Sequence, residues 1–225
     1  MTVDLSQSND ASPGPVNAPR PTSISYVRYG IKSVTVPTLP ANEGCFRPLK
    51  IILRPGSMFD PIPPTPTSLW VEASQNIPDL MLKALAPAIP DKVRASTFGS
   101  DLAEFTYGTD PRTNRYYIIA EESVPGGWGA RPDSDGESAL HALAEGDTYN
   151  IPIEMMEVNY PLFISKYELL PDSGGPGKWR GGVGAVKSIA PIGHDAKMVA
   201  TFERSKYSPA WGLFGGKPGA PNRVE

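Results

Sequence analysis

Proline and glycine interrupt this chain at short intervals along its whole length, and no other feature limits its fold as strongly. The chain has 26 Pro and 22 Gly, which together make 48 of its 225 residues. Proline breaks helices and central strands, while glycine favours turns and close backbone approach. Because 40% of the residues are hydrophobic, the chain can still build a core. The sequence therefore predicts short regular elements joined by long ordered loops.

The spacing of apolar residues between these interruptions predicts more strands than helices. One helical stripe consists of Ile24, Val27, Ile31 and Val34, with Thr22 or Ser23 as its N-cap. A second helix is predicted over residues 75–88, with Ile77, Leu80, Met81, Ala84, Leu85 and Ala88 on its buried face. Strands are predicted at residues 2–5, 49–53, 115–120, 162–170, 183–190 and 197–203, and one or two helical turns at 153–158. This pattern indicates the α+β class: a β-rich mixed domain with two or three helices and long loops rich in glycine and proline.

The charge balance and the start of the chain exclude several classes of protein. Lys and Arg total 21 against 24 Asp and Glu, a net charge of −3, so there is no electrostatic reason to expect nucleic acid or an anionic membrane as partner. The lone cysteine, Cys45, excludes an intramolecular disulfide and a zinc site built on cysteines. Because the first residues do not read as a signal peptide and no apolar run reaches about 18 residues, we expect a cytoplasmic protein.

Three segments contain too much glycine and too specific a set of polar residues to be ordinary turns. They are residues 124–138, 171–182 and 208–222, named here the first, second and third glycine loops. Glycine lets such loops lie against a ligand or against another backbone. The sequence leaves both possibilities open, a binding site or tight turns packed on tryptophan.

The first glycine loop and the residues after it concentrate the groups best suited to catalysis. They are Arg131, Asp135, Glu137, Ser138 and His141. A fixed cation, three proton acceptors and a hydroxyl can orient an amide or carboxylate and move a proton. The same residues could instead form an internal hydrogen-bond network that ties down a long loop.

Other types of active site find little support in the sequence. Neither Lys178 nor Lys217 is followed by Ser or Thr, so the chain has no Walker A loop. It also has no Gly-x-Ser-x-Gly elbow for a serine hydrolase. Cys45 and His141 could form a thiol nucleophile pair, but a buried and inert thiol is favoured. His141 and His194 lack the spacing of metal ligands.

Six sequence motifs follow one another along the chain. The first three are Asn17-Ala-Pro, Asn42-Glu43-Gly-Cys45-Phe-Arg47-Pro and Val71-Glu72-x-Ser74-Gln75. The other three include the glycine loops: Gly-Gly-Trp128-Gly-Ala-Arg131-Pro-x-x-Asp135-Gly-Glu137-Ser138-Ala, Pro-Asp172-Ser-Gly-Gly-x-Gly-x-x-Arg180-Gly-Gly and Glu203-Arg204…Trp211-Gly-Leu-x-Gly-Gly-x-Pro-Gly-Ala. In content and order these motifs resemble the hydantoinase B/oxoprolinase family, and the resemblance spans nearly the whole chain.

The resemblance implies a subunit that works with a hydantoinase A-type partner. In that family the partner uses ATP to phosphorylate a carbonyl or enol oxygen. The B-type subunit then completes ring-opening hydrolysis of a cyclic amide such as a hydantoin or 5-oxoproline. We therefore expect ATP and magnesium on the partner and none on this chain.

The resemblance also implies that residues 1–225 form the carboxy-terminal part of a longer B-type domain. Family members are longer, and the metal ligands lie in their amino-terminal half, which has no counterpart in this sequence. We therefore expect the metal in that missing half. We also expect this chain to need the missing half as a partner and to be inactive by itself.

Side-chain chemistry alone assigns the site roles. We expect Arg131, with Glu43 and Ser138, to bind the substrate, and Glu137 or Asp135, together with His141, to transfer protons. Two other functions stay open at this stage. Related family members carboxylate ketones with ATP, and a half-subunit or truncated remnant could serve assembly without catalysis.

Overall fold

The structure is a computed structural model that describes residues 1–121, 124–143 and 148–225. These residues form five helices and seven strands. In chain order they are β1 (Thr2–Asp4), α1 (Arg20–Thr35), α2 (Glu43–Phe46), β2 (Lys50–Ile52), α3 (Trp70–Ser74), α4 (Asn76–Leu85), β3 (Ala103–Asp110), β4 (Arg115–Glu121), α5 (Ile153–Asn159), β5 (Leu162–Leu169), β6 (Ala185–Pro191) and β7 (Ala196–Thr201). The predicted α+β class is confirmed.

The strands form three small sheets. Strands β1 and β2 pair in parallel, β4, β3 and β7 make an antiparallel sheet in that order, and β5 pairs with β6 in an antiparallel hairpin. One side of the three-stranded sheet packs on α5 and β5 through Ile119, Met156, Leu162 and Ile164. A separate core joins α1, α3 and α4 to the β1–β2 pair.

Helix α1 begins earlier than its apolar stripe predicts. The predicted caps, Thr22 and Ser23, both lie within the helix, and Pro19 occupies the N-cap position without a side-chain cap. Pro21 is accommodated because the first-turn amides have no intrahelical partner. Ser23 is buried, and its hydroxyl donates to the Phe59 carbonyl at 2.8 Å. The helix start is thus fixed by proline geometry and by a tertiary contact.

Helix α4 buries only part of the face that its sequence predicts, because Ile77 and Met81 are buried as predicted but Leu80 is not. Leu80 is 50% exposed, while Asp79 is 2% exposed and Leu82 is 5% exposed. The reason lies in α1, where a side chain at Gly30 would press on Met81 and on the Pro78 backbone. This close crossing packs Pro78 and Met81 against α1, whereas Leu80 stays exposed.

Three elements, α2, α3 and β3, are absent from the sequence-based prediction. Strand β3 was not predicted because its buried residues are polar: Glu104, Thr106 and Asp110 face inward. Helix α2 has only 4 residues, and the spacing of its apolar residues predicts no regular element there. Its Cys45 is half-buried, so the buried thiol expected from the sequence is only partly covered.

Candidate functional site

The three glycine loops are fastened to each other by backbone hydrogen bonds. In the first loop, the Trp128 amide donates to the Glu137 carbonyl at 2.9 Å, and the Trp128 carbonyl accepts from the Gly182 amide at 2.9 Å. The Gly136 amide donates to the Arg180 carbonyl at 2.8 Å. The third loop joins the second where the Lys217 amide donates to the Pro176 carbonyl at 2.9 Å.

Glycine is required at these crossings because one backbone lies against another. A Cβ atom at Gly182 would collide with the Glu137 carbonyl, and one at Gly127 would collide with the Gly182 carbonyl. A Cβ atom at Gly129 would collide with the Ala95 carbonyl. The interpretation of the glycines as sites of close backbone packing is therefore realised at these three positions.

Tryptophans anchor the loops, as their sequence positions suggest. The Trp128 indole N–H donates to the His141 carbonyl at 2.9 Å, and the Arg94 guanidinium lies 4.2 Å from the ring centre. The Trp211 ring has Arg204 at 3.9 Å and Lys83 at 4.5 Å from its centre. These cation–π contacts join the loops to α4 and to residues around β7.

Two of the predicted site residues, Arg131 and Glu137, form an ion pair. The contact joins Nη2 of Arg131 to Oε1 of Glu137, and the two side chains are 50% and 35% exposed. The other carboxylate oxygen, Oε2 of Glu137, is covered and has no hydrogen-bond partner. Burial lowers the pKa of the Arg94 guanidinium, and the negative charge of nearby Glu137 acts in the opposite direction. The pair thus has one acceptor atom still unused.

Three other predicted site residues lie near this pair. Oδ1 of Asp135 accepts from the Arg180 amide at 2.7 Å, and Oγ of Ser138 accepts from the Val183 amide at 3.1 Å. Both side chains thus hold the second glycine loop and the start of β6. His141 follows the first loop and is half-buried, and its carbonyl accepts from Trp128. Glu145, four positions after His141, lies outside the described residues.

Glu43 is placed on a different element from the other predicted site residues. It begins α2 and its side chain is 82% exposed. Arg28 of α1 binds both of its carboxylate oxygens, at 2.8 and 3.0 Å. These contacts connect Glu43 to α1 and not to the first glycine loop.

A cavity of about 710 Å³ lies between the glycine loops, the segment before β3, and β6. Of the six predicted site residues, only Arg131 is on its wall. Its other prominent lining side chains are Trp128, Trp179, Trp211, Lys178 and Lys187. A volume of this size is in the range of small-molecule sites, so Arg131, one partner of the ion pair, lies on the wall of a pocket suited to a small ligand.

A buried polar network beneath the third loop was not predicted. Oδ2 of Asp79 accepts from the Ser96 hydroxyl at 3.0 Å and from the Thr97 amide and hydroxyl at 2.9 Å. Nη2 of Arg204 lies 3.4 Å from the same oxygen. Asp79 falls between apolar residues of α4, so the apolar stripe concealed it. The motif that contains Glu203 and Arg204 was the available signal.

The second buried carboxylate, Glu72, belongs to a motif that the sequence analysis quoted without giving it a role. It is 1% exposed. The Ser100 hydroxyl donates to its Oε2 at 2.9 Å, and the Thr201 hydroxyl to its Oε1 at 3.3 Å. Burial raises the pKa of Glu72 to about 7, with the nearby charges of Asp101 and Glu203 acting in the same direction. Glu72 can therefore change charge near neutral pH.

The described residues contain no group of three His, Cys, Asp or Glu side chains placed to hold a metal ion. His194, for example, is hydrogen-bonded to the Tyr117 hydroxyl at 2.8 Å. None of the helices in the described ranges has the length and apolar content that a membrane span requires.

Comparison with known proteins agrees with the motifs. The chain is 32% identical to caprolactamase subunit beta of Pseudomonas jessenii over 212 residues, covering 90% of this chain and 35% of that protein. It is 31% identical to 5-oxoprolinase PfmaA of Pestalotiopsis fici over 221 residues, covering 96% of this chain and 16% of that protein. The chain thus spans well under half of the length of either relative.

Two solved structures share the fold. The ATP-dependent caprolactamase from Pseudomonas jessenii superposes with a TM-score of 0.83 at 27% identity, over 99% of this chain and 42% of that one. Nucleotide-free acetone carboxylase superposes with a TM-score of 0.79 at 20% identity, over 98% of this chain and 30% of that one. The sequence profile described as hydantoinase B/oxoprolinase matches residues 1–225. The chain therefore belongs to the hydantoinase B/oxoprolinase family.

Proposed function

We propose that this chain is part of an ATP-dependent hydrolase that opens cyclic amides and acts with a hydantoinase A-type subunit. The observation that carries the proposal is that Arg131, which lines the cavity, forms an ion pair with Glu137, in a family whose relatives include a caprolactamase and a 5-oxoprolinase. ATP and magnesium are assigned to the partner, and the metal to the part of the B-type subunit that this chain does not cover.

The chemistry of the pair suits a cyclic amide. Such a ring presents an N–H donor beside a carbonyl acceptor. Oε2 of Glu137 is an acceptor without a hydrogen-bond partner, but it is covered, so binding of the ring requires the Glu137 side chain to rotate toward the ring N–H. The guanidinium of Arg131 is a donor with a permanent charge. Arg131 holds the carbonyl or the carboxylate that replaces it. Glu137 accepts the proton of the attacking water as the C–O bond forms, and this proton is returned to the ring nitrogen as the C–N bond breaks.

The remaining predicted residues take supporting roles in this proposal. Asp135 holds the second glycine loop through the Arg180 amide, and Ser138 holds the adjoining Val183 amide, so both residues position the segment that runs from this loop to β6. His141 follows the same loop and could pass a proton to or from Glu137. Glu43 is bound to Arg28 and is not assigned a contact with substrate.

The experiment combines this chain with the remainder of the B-type subunit, a hydantoinase A-type subunit, ATP and magnesium. Hydantoin, 5-oxoproline and caprolactam are offered, and ring-opened product is measured. Glu137→Gln keeps the shape of the side chain but removes its charge, and turnover is expected to fall at least 100-fold. The matched control is Glu168→Gln, which also removes a carboxylate from an ion pair, that of Lys166 and Glu168 on β5.

The expected result is loss of activity in Glu137→Gln, normal activity in Glu168→Gln, and unchanged assembly in both. Full activity in Glu137→Gln would remove that residue from the site. Absence of ring opening with all three substrates would count against the hydrolase, and carboxylation of a ketone in the same mixture would favour the alternative reaction. The likeness to acetone carboxylase, at 20% identity, concerns the fold alone.

A further inference from the structure

One face of the three-stranded sheet is apolar and exposed. The strand register places Tyr107 opposite Ile118, and Phe105 opposite Val199, so these side chains share a face with Tyr116. Tyr116 is 66% exposed, Ile118 57% and Val199 47%. Phe105, Tyr107, Tyr116, Ile118 and Val199 are named here the open sheet face.

Strand β3 has the reverse of the usual pattern of burial. Its inward residues, Glu104, Thr106 and Asp110, are polar and buried. Its outward residues, Phe105 and Tyr107, are aromatic and only partly covered. Sheets with one solvated face normally put apolar residues inward and polar residues outward. This arrangement indicates a sheet whose outward face is also covered when the protein is assembled.

The total exposed surface of the chain also exceeds that of a compact monomer. It measures 12468 Å² for a mass of 24.2 kDa, whereas a compact monomer of that mass exposes about 10,000 Å². The excess is about 2,500 Å² summed over the whole chain, and the open sheet face is one part of it. Covering all of this excess would form an interface of about 5,000 Å² in total, which is the size of a permanent interface between subunits.

We infer that the open sheet face docks the remaining polypeptide of the hydantoinase B-type subunit. The caprolactamase chain that this fold matches is more than twice as long, since the match spans 42% of it. A permanent, apolar interface is typical of two segments that relatives carry within one polypeptide chain. A second copy of this chain fits less well, because Lys197 lies opposite Tyr107 on the same face and two such faces would bring lysines together. The docked surface is expected to be apolar with a carboxylate opposite Lys197.

Photo-cross-linking in the cells that naturally make the chain tests the occupant. The photo-reactive residue p-benzoylphenylalanine is placed at Ile118 and, as a matched control, at Leu39, which is 58% exposed but outside the sheet. The expected result is a cross-link from position 118, and none from position 39, to a polypeptide whose sequence matches the part of hydantoinase B proteins that this chain lacks. A cross-link from position 118 to a second copy or to a hydantoinase A-type subunit would overturn the inference, and so would no cross-link at all.

Charge substitution tests the surface itself. Ile118→Glu and Val199→Glu are expected to reduce binding of the identified polypeptide at least tenfold, while Leu39→Glu leaves it unchanged. Because these three side chains are exposed, the melting temperature of the isolated chain should be the same in all variants. Unchanged binding in Ile118→Glu and Val199→Glu would refute the assignment of the face. Both experiments measure assembly, so their outcome is independent of whether a cyclic amide is hydrolysed.

Discussion

Replacing Glu72 by Gln should make the protein more stable at pH 8 than the parent chain. The carboxyl is buried and its pKa is raised from 4.5 to about 7, because burial penalises the charged form. The folded state therefore binds the proton more tightly than the unfolded state. The contribution of the protonated group to stability is complete below pH 4.5, declines as the pH rises, and is lost above pH 7.

The size of the effect follows from the two pKa values. A difference from 4.5 to about 7 corresponds to about 3 kcal/mol at about 1.36 kcal/mol per pH unit. Glutamine is neutral throughout, and its carbonyl can still accept from Ser100 while the Thr201 hydroxyl accepts from its amide. The variant should therefore behave like a permanently protonated Glu72.

Urea denaturation of both proteins from pH 4.5 to pH 8 measures this difference. The free energy of unfolding of Glu72→Gln minus that of the parent chain should rise with pH by up to about 3 kcal/mol. Other titrating groups are common to both proteins and cancel. Glu168→Gln, at an exposed carboxylate, should give a much smaller change over the same range. A difference that does not vary with pH would refute the buried, proton-binding state of Glu72.

Other substitutions test the glycine loops. Trp211→Ala removes a ring held between two cations and should lower the free energy of unfolding by about 3 kcal/mol; equal melting temperatures for variant and parent would exclude the anchoring role. Gly182→Ala places a Cβ atom against the Glu137 carbonyl and should cost at least about 2 kcal/mol, whereas Gly14→Ala meets only an ordinary contact of 3.5 Å and should be nearly neutral. Equal stability of the two glycine variants in thermal denaturation would contradict the backbone crossing.

The sequence predicts most elements because their apolar spacing agrees with their final burial. The strand predicted at residues 162–170 forms β5, Leu162–Leu169, with Leu162 and Ile164 buried. Strand β3 could not be found in this way, since its apolar residues face outward and its polar residues face inward. The same reversal hides Asp79 on α4. Both cases depend on tertiary neighbours that a local pattern does not contain.

The candidate site was only partly accessible from the sequence. Arg131 and Glu137 were both selected as site residues because they are close in the chain, but their ion pair was not predicted. The cavity joins segments far apart in the sequence, such as Ser96, Trp128 and Trp211, so local spacing could not reveal it. Glu43 was selected as a site residue because it lies in a motif. No sequence pattern indicated that it would form an ion pair with Arg28 of α1.

The central claim is hydrolysis of a cyclic amide, and isotope labelling of the product tests it most directly. The assembled system is incubated with the cyclic amide, ATP and magnesium in ¹⁸O-water containing ¹³C-bicarbonate, and the product is analysed by mass spectrometry. We predict an ATP-dependent open-chain amino acid whose new carboxylate carries ¹⁸O from water and no ¹³C. A product that carries ¹³C, or ring opening that proceeds equally without ATP, would contradict the account.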